Sequence, residues 1–175
     1  AGSGVLQRLA LGTSLELAAP GHNNQRFNID PVKRYLHYEN AYLAGELDSA
    51  FAAMTAWECR MITDEPHPEE DLAWCRGMLK NYRPDYVNLP DYRWRYSRIV
   101  RTDVPYQDPL PEQNDGTSRI QQLLCGGGKC GPRAFVGRLA LRSFGIPTWG
   151  VQQPGHAALA HWTPEGWTIN LGAGW

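Results

Sequence analysis

A change of hydrophobic period near Pro147 limits this chain to a mixed fold. From Asp30 to Tyr82 the apolar residues recur at helical spacing. After Pro147 they fall into three short extended segments, Thr148–Gln153, His156–Trp162 and Gly166–Leu171, the last two divided by the turn "TPEG". Short strands joined by tight turns pair antiparallel, so helices come first and a small antiparallel sheet last, and the expected class is α+β. With 175 residues the chain is long enough to bury one core. Residues 1–29 carry no strong period and read as an N-terminal extension. Residues 30–175 read as one domain, with a helical part over 30–83 and a second part over 84–175.

Local signals place the elements inside that frame. Asp30-Pro31 opens a helix, with a capping carboxylate followed by a first-turn proline. A second helix is expected over roughly 48–62 from Phe51, Met54, Trp57 and Met61. A third starts at the acidic run Glu69-Glu70-Asp71 and passes through Leu72, Cys75, Met78 and Leu79 to about Tyr82. "RPDYVNLPDY" is a proline-marked loop, and residues 92–100 look extended from their aromatic and β-branched content. After the loop "VPYQDPLPEQNDG", Thr117 or Ser118 caps a short helix through Leu124. A helix over about 131–143 follows the glycine run.

Composition removes some functions. A net charge of −1 gives no footing for non-specific nucleic-acid binding, and no run approaches the ~18 apolar residues of a membrane span. The opening stretch "AGSGVLQRLALGTSLELAAPG" does not read as an intact signal peptide, which fits a mature or trimmed start, and four cysteines do not decide the compartment. In "YRWRYSRIVR", Arg93, Arg95, Arg98 and Arg101 interleave with Tyr92, Trp94 and Tyr96. That is either a solvated strand face or a groove for an acidic or sugar-like ligand.

The chemistry concentrates in "GGGKCGPRAF". A thiol at a helix N-terminus is stabilised as thiolate by the free N–H groups and the dipole, and Cys130 stands at such a start. The glycines from Gly126 to Gly128 leave the sulfur open to a substrate, and the N–H of Cys130 points where an oxyanion would form. A catalytic thiol needs a base. On an extended strand His156, Ala158, Ala160 and Trp162 share one face, and Ala157, Leu159 and His161 the other, so one histidine faces the helix. His156 is chosen, because the alanines on its face leave room for a helix. Asn170, on the next strand, is the candidate orienter of its imidazole, as an amide orients the ring without adding charge. Cys125, Cys130, His156 and His161 can also be read as a zinc set, which the opposed faces of the two histidines argue against. Cys59 and Cys75 read as buried thiols, with a bridge between them the lesser alternative.

"GKCGPRA…LALRSFGIPTWGV…GHAAL…GWTIN" resembles the transglutaminase-like superfamily of papain-like thiol enzymes. The residues that carry the likeness are Gly128, Cys130 and Ala134, then Arg142, Gly145, Ile146 and Pro147, then His156-Ala157, then Asn170, all within residues 118–175. The resemblance implies a cysteine-bearing helix packed on the sheet. It implies Cys130 as nucleophile, His156 as general base and acid, and Asn170 as orienter, acting on an amide bond through a thioester. Gln152, Gln153, Trp149 and Gly128 are the accompanying candidates for oxyanion or substrate contact, and no metal or cofactor is expected. Asn170 follows Trp167 by three residues, so a β-bulge would turn its amide toward the histidine and a regular strand would turn it away. The chain stops at "LGAGW" where family members carry more sheet, the pattern of a C-terminal truncation. The expected partner is a peptide or other amide substrate. Two alternatives stand beside this one: an inactive binding module on the same scaffold, or a carbohydrate-active protein using Trp149, Trp162 and Trp167 in the cleft.

Overall fold

The computed structural model describes residues 3–18, 29–108, 110–111 and 115–171. Residues 19–28 of the expected extension, and the last four residues of "LGAGW", lie outside them. The described chain is α+β, with eight α-helices and a three-stranded antiparallel sheet in the order β1-β2-β3.

The first helix is a departure from the sequence reading. α1 (Ser3–Thr13) runs on into a π-helical turn at Ser14–Ala18. Val5 and Leu9, one turn apart, enter the core, and Glu16 pairs with Arg60. Gly12 lets α1 cross α3 (Ala56–Thr63) backbone to backbone: a Cβ there would stand 2.7 Å from both Ala56 O and Arg60 N. This stripe was hidden because glycines interrupt it and no polar cap announces its start.

α2 (Pro31–Leu43) begins as expected, with Asp30 accepting from the N–H groups of Val32 (2.8 Å) and Lys33 (3.2 Å). The single helix expected over 48–62 is instead a 3₁₀ turn, Ser49–Ala53, followed by α3. Met54 is extended (φ −59°, ψ 137°), and Thr55 with Glu58 forms a capping box that starts the new helix. The break turns Cys59 and Ile62 inward and leaves Trp57 57% exposed, so Trp57 is no core residue. α4 (Glu69–Tyr82) carries the acidic first turn and buries Leu72, Cys75 and Leu79. α5 (Pro84–Val87) is a short helix inside the expected proline loop.

Residues 92–98 are not a strand. They form consecutive turns that lead into α6 (Ile99–Thr102). Asp91 starts them: its Oδ1 accepts from Arg93 N at 3.0 Å and its carbonyl accepts from Trp94 N and Arg95 N. Tyr96 takes φ 63°, stacks on Phe144 (centroids 4.1 Å) and donates to Asp48 Oδ2 at 2.6 Å. Strand propensity loses here to the Asx turn that Asp91 starts.

α7 (Arg119–Gly126) is capped at Ser118, whose N–H donates to Gln121 Oε1 (2.7 Å). α8 (Cys130–Ser143) then lies along the sheet of β1 (Thr148–Gln153), β2 (His156–Thr163) and β3 (Gly166–Asn170). The core is continuous from Val5 through α8 to Leu159 and Leu171. Among the described residues no helix is long and apolar enough to cross a membrane.

Candidate active site at the start of the cysteine helix

Cys130 is half-buried and heads α8, with Lys129 in the cap position. The first bond of the helix runs from Arg133 N to Lys129 O (3.1 Å). The N–H groups of Cys130 and Gly131 therefore have no acceptor within the helix, and Pro132 has none to place. A Cβ at Gly131 would meet nothing within 4 Å, so space is open at the residue that follows the thiol. From Gly131 a groove of ≈ 200 Å³ runs between α8 and the sheet, lined by Ala134, Phe135 and Arg138 on the helix and by Gly150, Gln152 and Ala157 among the strand residues.

The pairing register decides which strand residues look into it. Gln153 stands opposite His156 and Gly150 opposite Leu159, which in turn stands opposite Asn170. Directly opposed residues share a face, so Gln152, Gly150, Ala157, Leu159, His161 and Asn170 look one way, and Trp149, Gln153, His156, Ala158 and Trp162 the other. α8 takes the Leu159 face. A Cβ on Gly137 would stand 2.6 Å from Leu159 Cδ2, so the glycine makes room for the leucine. The expectation that the alanine-rich face of His156 receives the helix is thus reversed: a glycine on the helix, rather than alanines on the strand, creates the close approach.

His156 is at the right end of the sheet but on its outer face. β2 begins there, beside the residues Gln152 and Ala157 that meet the first turns of α8, yet the imidazole Nε2 contacts Leu171 O. Asn170 is on the opposite face from His156 and fully buried. Its Nδ2 donates to Arg93 O (2.6 Å) and Ser97 Oγ (3.2 Å). It ties the 92–98 turns to the sheet and does not orient His156; the pairing continues regularly from Leu159–Asn170 to Thr163–Gly166, with no bulge to turn it. Gly128 donates its N–H to Pro105 O at 2.9 Å, which takes it out of the oxyanion role. Of the accompanying candidates Gln152 borders the groove, while Gln153 and the 55%-exposed Trp149 belong to the outer face. His161 is buried on the inner face, its Nε2 donating to Tyr92 O (3.3 Å), and burial pushes its imidazole down to about 4.

The groove also has a wall that no motif announced. Glu65 is buried beneath Arg138 (3.6 Å), bonds His67 Nδ1 (2.6 Å) and pairs with Arg142 (3.2 Å). Burial alone would raise the carboxyl of Glu65; the bond from His67 and the charges of Arg142 and Arg138 outweigh it and hold the group at about 2. The His67 ring packs on Phe135 (centroids 4.5 Å). Phe135 and Arg138 were findable, since Gly131, Ala134, Phe135 and Arg138 follow i, i+3, i+4, i+7. The loop Glu65–His67 gave no such signal.

Cys59 and Cys75 are buried free thiols pushed up to about 12 by burial, and Cys125 is free and exposed. Among the described residues no three of His, Cys, Asp and Glu converge as metal ligands. No family model matches the chain, and no curated protein and no solved structure match it either.

Proposed function

We propose that the chain is a thiol-dependent hydrolase or acyltransferase of the transglutaminase-like kind, acting on an amide carbonyl through Cys130. One observation carries this: the half-exposed Cys130 heads the helix that lies on the sheet, with open space at Gly131 and a groove leading away from it. The sulfur attacks the carbonyl carbon, and the oxyanion takes the N–H groups at the head of α8. Collapse expels the amine and leaves a thioester, which water or a second amine resolves. His156 accepts the thiol proton and returns it to the leaving amine. To do so its ring must swing round the end of β2, a local turn at the strand's first residue that leaves Leu159 packed at Gly137. Gly155 already stands at φ 69°, where a glycine bends freely.

The alternative is a binding module that keeps the scaffold without turnover, favoured by the separation of His156 and Asn170 on opposite sheet faces. One experiment separates the two: the iodoacetamide labelling rate of Cys130 against pH, resolved by mass spectrometry, in the wild type and in His156→Ala. An activated pair labels fast well below the ordinary thiol pKa of ~8.5 and loses that in the variant. Labelling that follows an ordinary thiol and ignores His156 assigns the chain to the binding module. In an acyl-substrate assay Cys130→Ala abolishes turnover with the fold intact, and turnover that survives it ends the thiol mechanism.

A further inference from the structure

The turns at 91–98 and α6 enclose a second, larger cavity of ≈ 530 Å³, lined by Leu89, Asp91, Trp94, Arg98, Arg101 and Thr102. It shares no lining residue with the groove beside Cys130. Its described lining is net basic, with Arg98 and Arg101 against Asp91. Of the four arginines in the segment, Arg95 is used internally, on Leu89 O (2.7 Å) and Asp48 (3.4 Å). Arg98 is exposed and makes no ion pair among the described residues. Asp91 is the one acid among the described lining residues, and one of its oxygens is engaged by Arg93 N. Asp103, just past α6, is paired with Arg83 at 3.1 Å.

Aromatic rings hold the guanidinium groups in place. Arg98 lies over Tyr86 (5.6 Å), and Arg101 and Arg93 lie by Trp94 (5.0 and 6.0 Å). A guanidinium laid on a ring is partly stripped of water on one side. At Arg98 the in-plane N–H edge is left for a carboxylate, which a guanidinium grips with two parallel bonds. Arg98 and Arg101 are three residues apart on one helical turn, which sets their Cβ atoms ~5–6 Å apart. Alternate residues of an extended peptide project to one side about 7 Å apart, within the reach of two arginines.

We propose that this cavity docks an extended acidic peptide segment, Arg98 and Arg101 each taking the carboxylate of alternate residues while Trp94 carries the methylene stem of a glutamate. This does not rest on the chemistry of Cys130. Arg133, whose guanidinium donates to Val100 O (2.7 Å) beside Arg101, extends the basic surface toward the first turns of α8.

The test is titration of the whole chain with a peptide of alternating Glu and Ala, followed at the indole N–H resonance of Trp94 and assigned with Trp94→Phe. The expected result is a saturable shift that weakens as salt is added, smaller for alternating Asp and Ala and absent for alternating Gln and Ala. The double variant Arg98→Gln/Arg101→Gln weakens binding by about tenfold or more, and Arg98→Lys, which keeps the charge and loses the fork, by a smaller factor. No saturable shift, or a shift that survives the double variant, overturns the proposal. So does an oligogalacturonate that binds the same arginines more tightly than the peptide, since it replaces the peptide with an acidic glycan.

Discussion

Arginine does two different jobs in two regions of this molecule. Where α2 and α8 meet the segment that follows α3, Arg34 and Arg142 are 0% and 2% exposed, and they spend their N–H groups on main-chain carbonyls. Arg34 bonds Thr63 O, Glu65 O and His67 O (2.9, 2.8 and 2.6 Å) besides Glu69. Arg142 bonds Asp64 O, Thr148 O and Glu65. Together they pin the irregular 64–68 segment, and the end of α3 before it, between α2, α8 and the start of β1. That segment has no secondary structure to satisfy its carbonyls, so five-donor side chains do it instead. Around residues 93–101 Arg98 and Arg101 are exposed, lie on aromatic rings and face a cavity. The contrast teaches that burial of a guanidinium follows the supply of unpaired carbonyls, and where rings are supplied instead the charge stays outward.

The hardest blow to this contrast comes from Arg142→Ala, which leaves Glu65 buried without its strongest cation. It should cost about 3–5 kcal/mol in urea unfolding. A loss below about 1 kcal/mol would mean that solvent reaches the network and that the two sets of arginines are alike.

Acid acts on the same interior. Burial, with Arg76 and Arg34 nearby, holds His37 at about 3, and burial holds His161 at about 4, both below the ordinary 6.5. The unfolded chain takes up these protons first, so stability falls as pH drops below about 6.5, by about 2 kcal/mol per histidine at pH 5. Glu65 works in a lower window: its contribution is full above about 4.5 and lost as pH falls toward 2. Unfolding curves of wild type and His161→Gln at pH 7 and pH 5 check this, the variant losing less between the two. An equal loss would place His161 in contact with solvent.

A smaller effect tests the tie between the 92–98 turns and the sheet. Asn170→Ala removes the bonds to Arg93 O and Ser97 Oγ and should destabilise by about 1–2 kcal/mol while leaving the labelling rate of Cys130 unchanged. A slowed labelling rate would return Asn170 to the active site. The smallest change is expected from Arg98→Gln, which should stay within about 0.5 kcal/mol of wild type in the same unfolding experiment. A larger loss would make Arg98 a structural arginine like Arg142.

Much of the architecture was readable from residues a few positions apart. Asp30-Pro31, the acidic turn at Glu69, the cap at Ser118 and the "TPEG" turn each act within one turn of chain, and each element stands where those residues put it. The start of α8 at Cys130 was readable for the same reason. Three readings failed where a local preference met a competitor. Residues 92–98 had strand propensity but met the Asp91 turn, the 48–62 helix met the Thr55–Glu58 box, and α1 carried its stripe without a cap.

The candidate site divides along the same line. Alternation along β2 is a property of the extended backbone, so the opposition of His156 and His161 follows from their spacing alone. Which of those faces meets the helix depends on Gly137 yielding space to Leu159, a contact between residues 22 positions apart. The fate of each arginine depends on carbonyls still farther off: Arg142 reaches back to Asp64, 78 positions away. Short-range chemistry therefore wrote the elements and the nucleophile's place at a helix start. Burial, pairing and the face presented to the groove were set by long-range packing, because a side chain's partners across the core are not its neighbours along the chain.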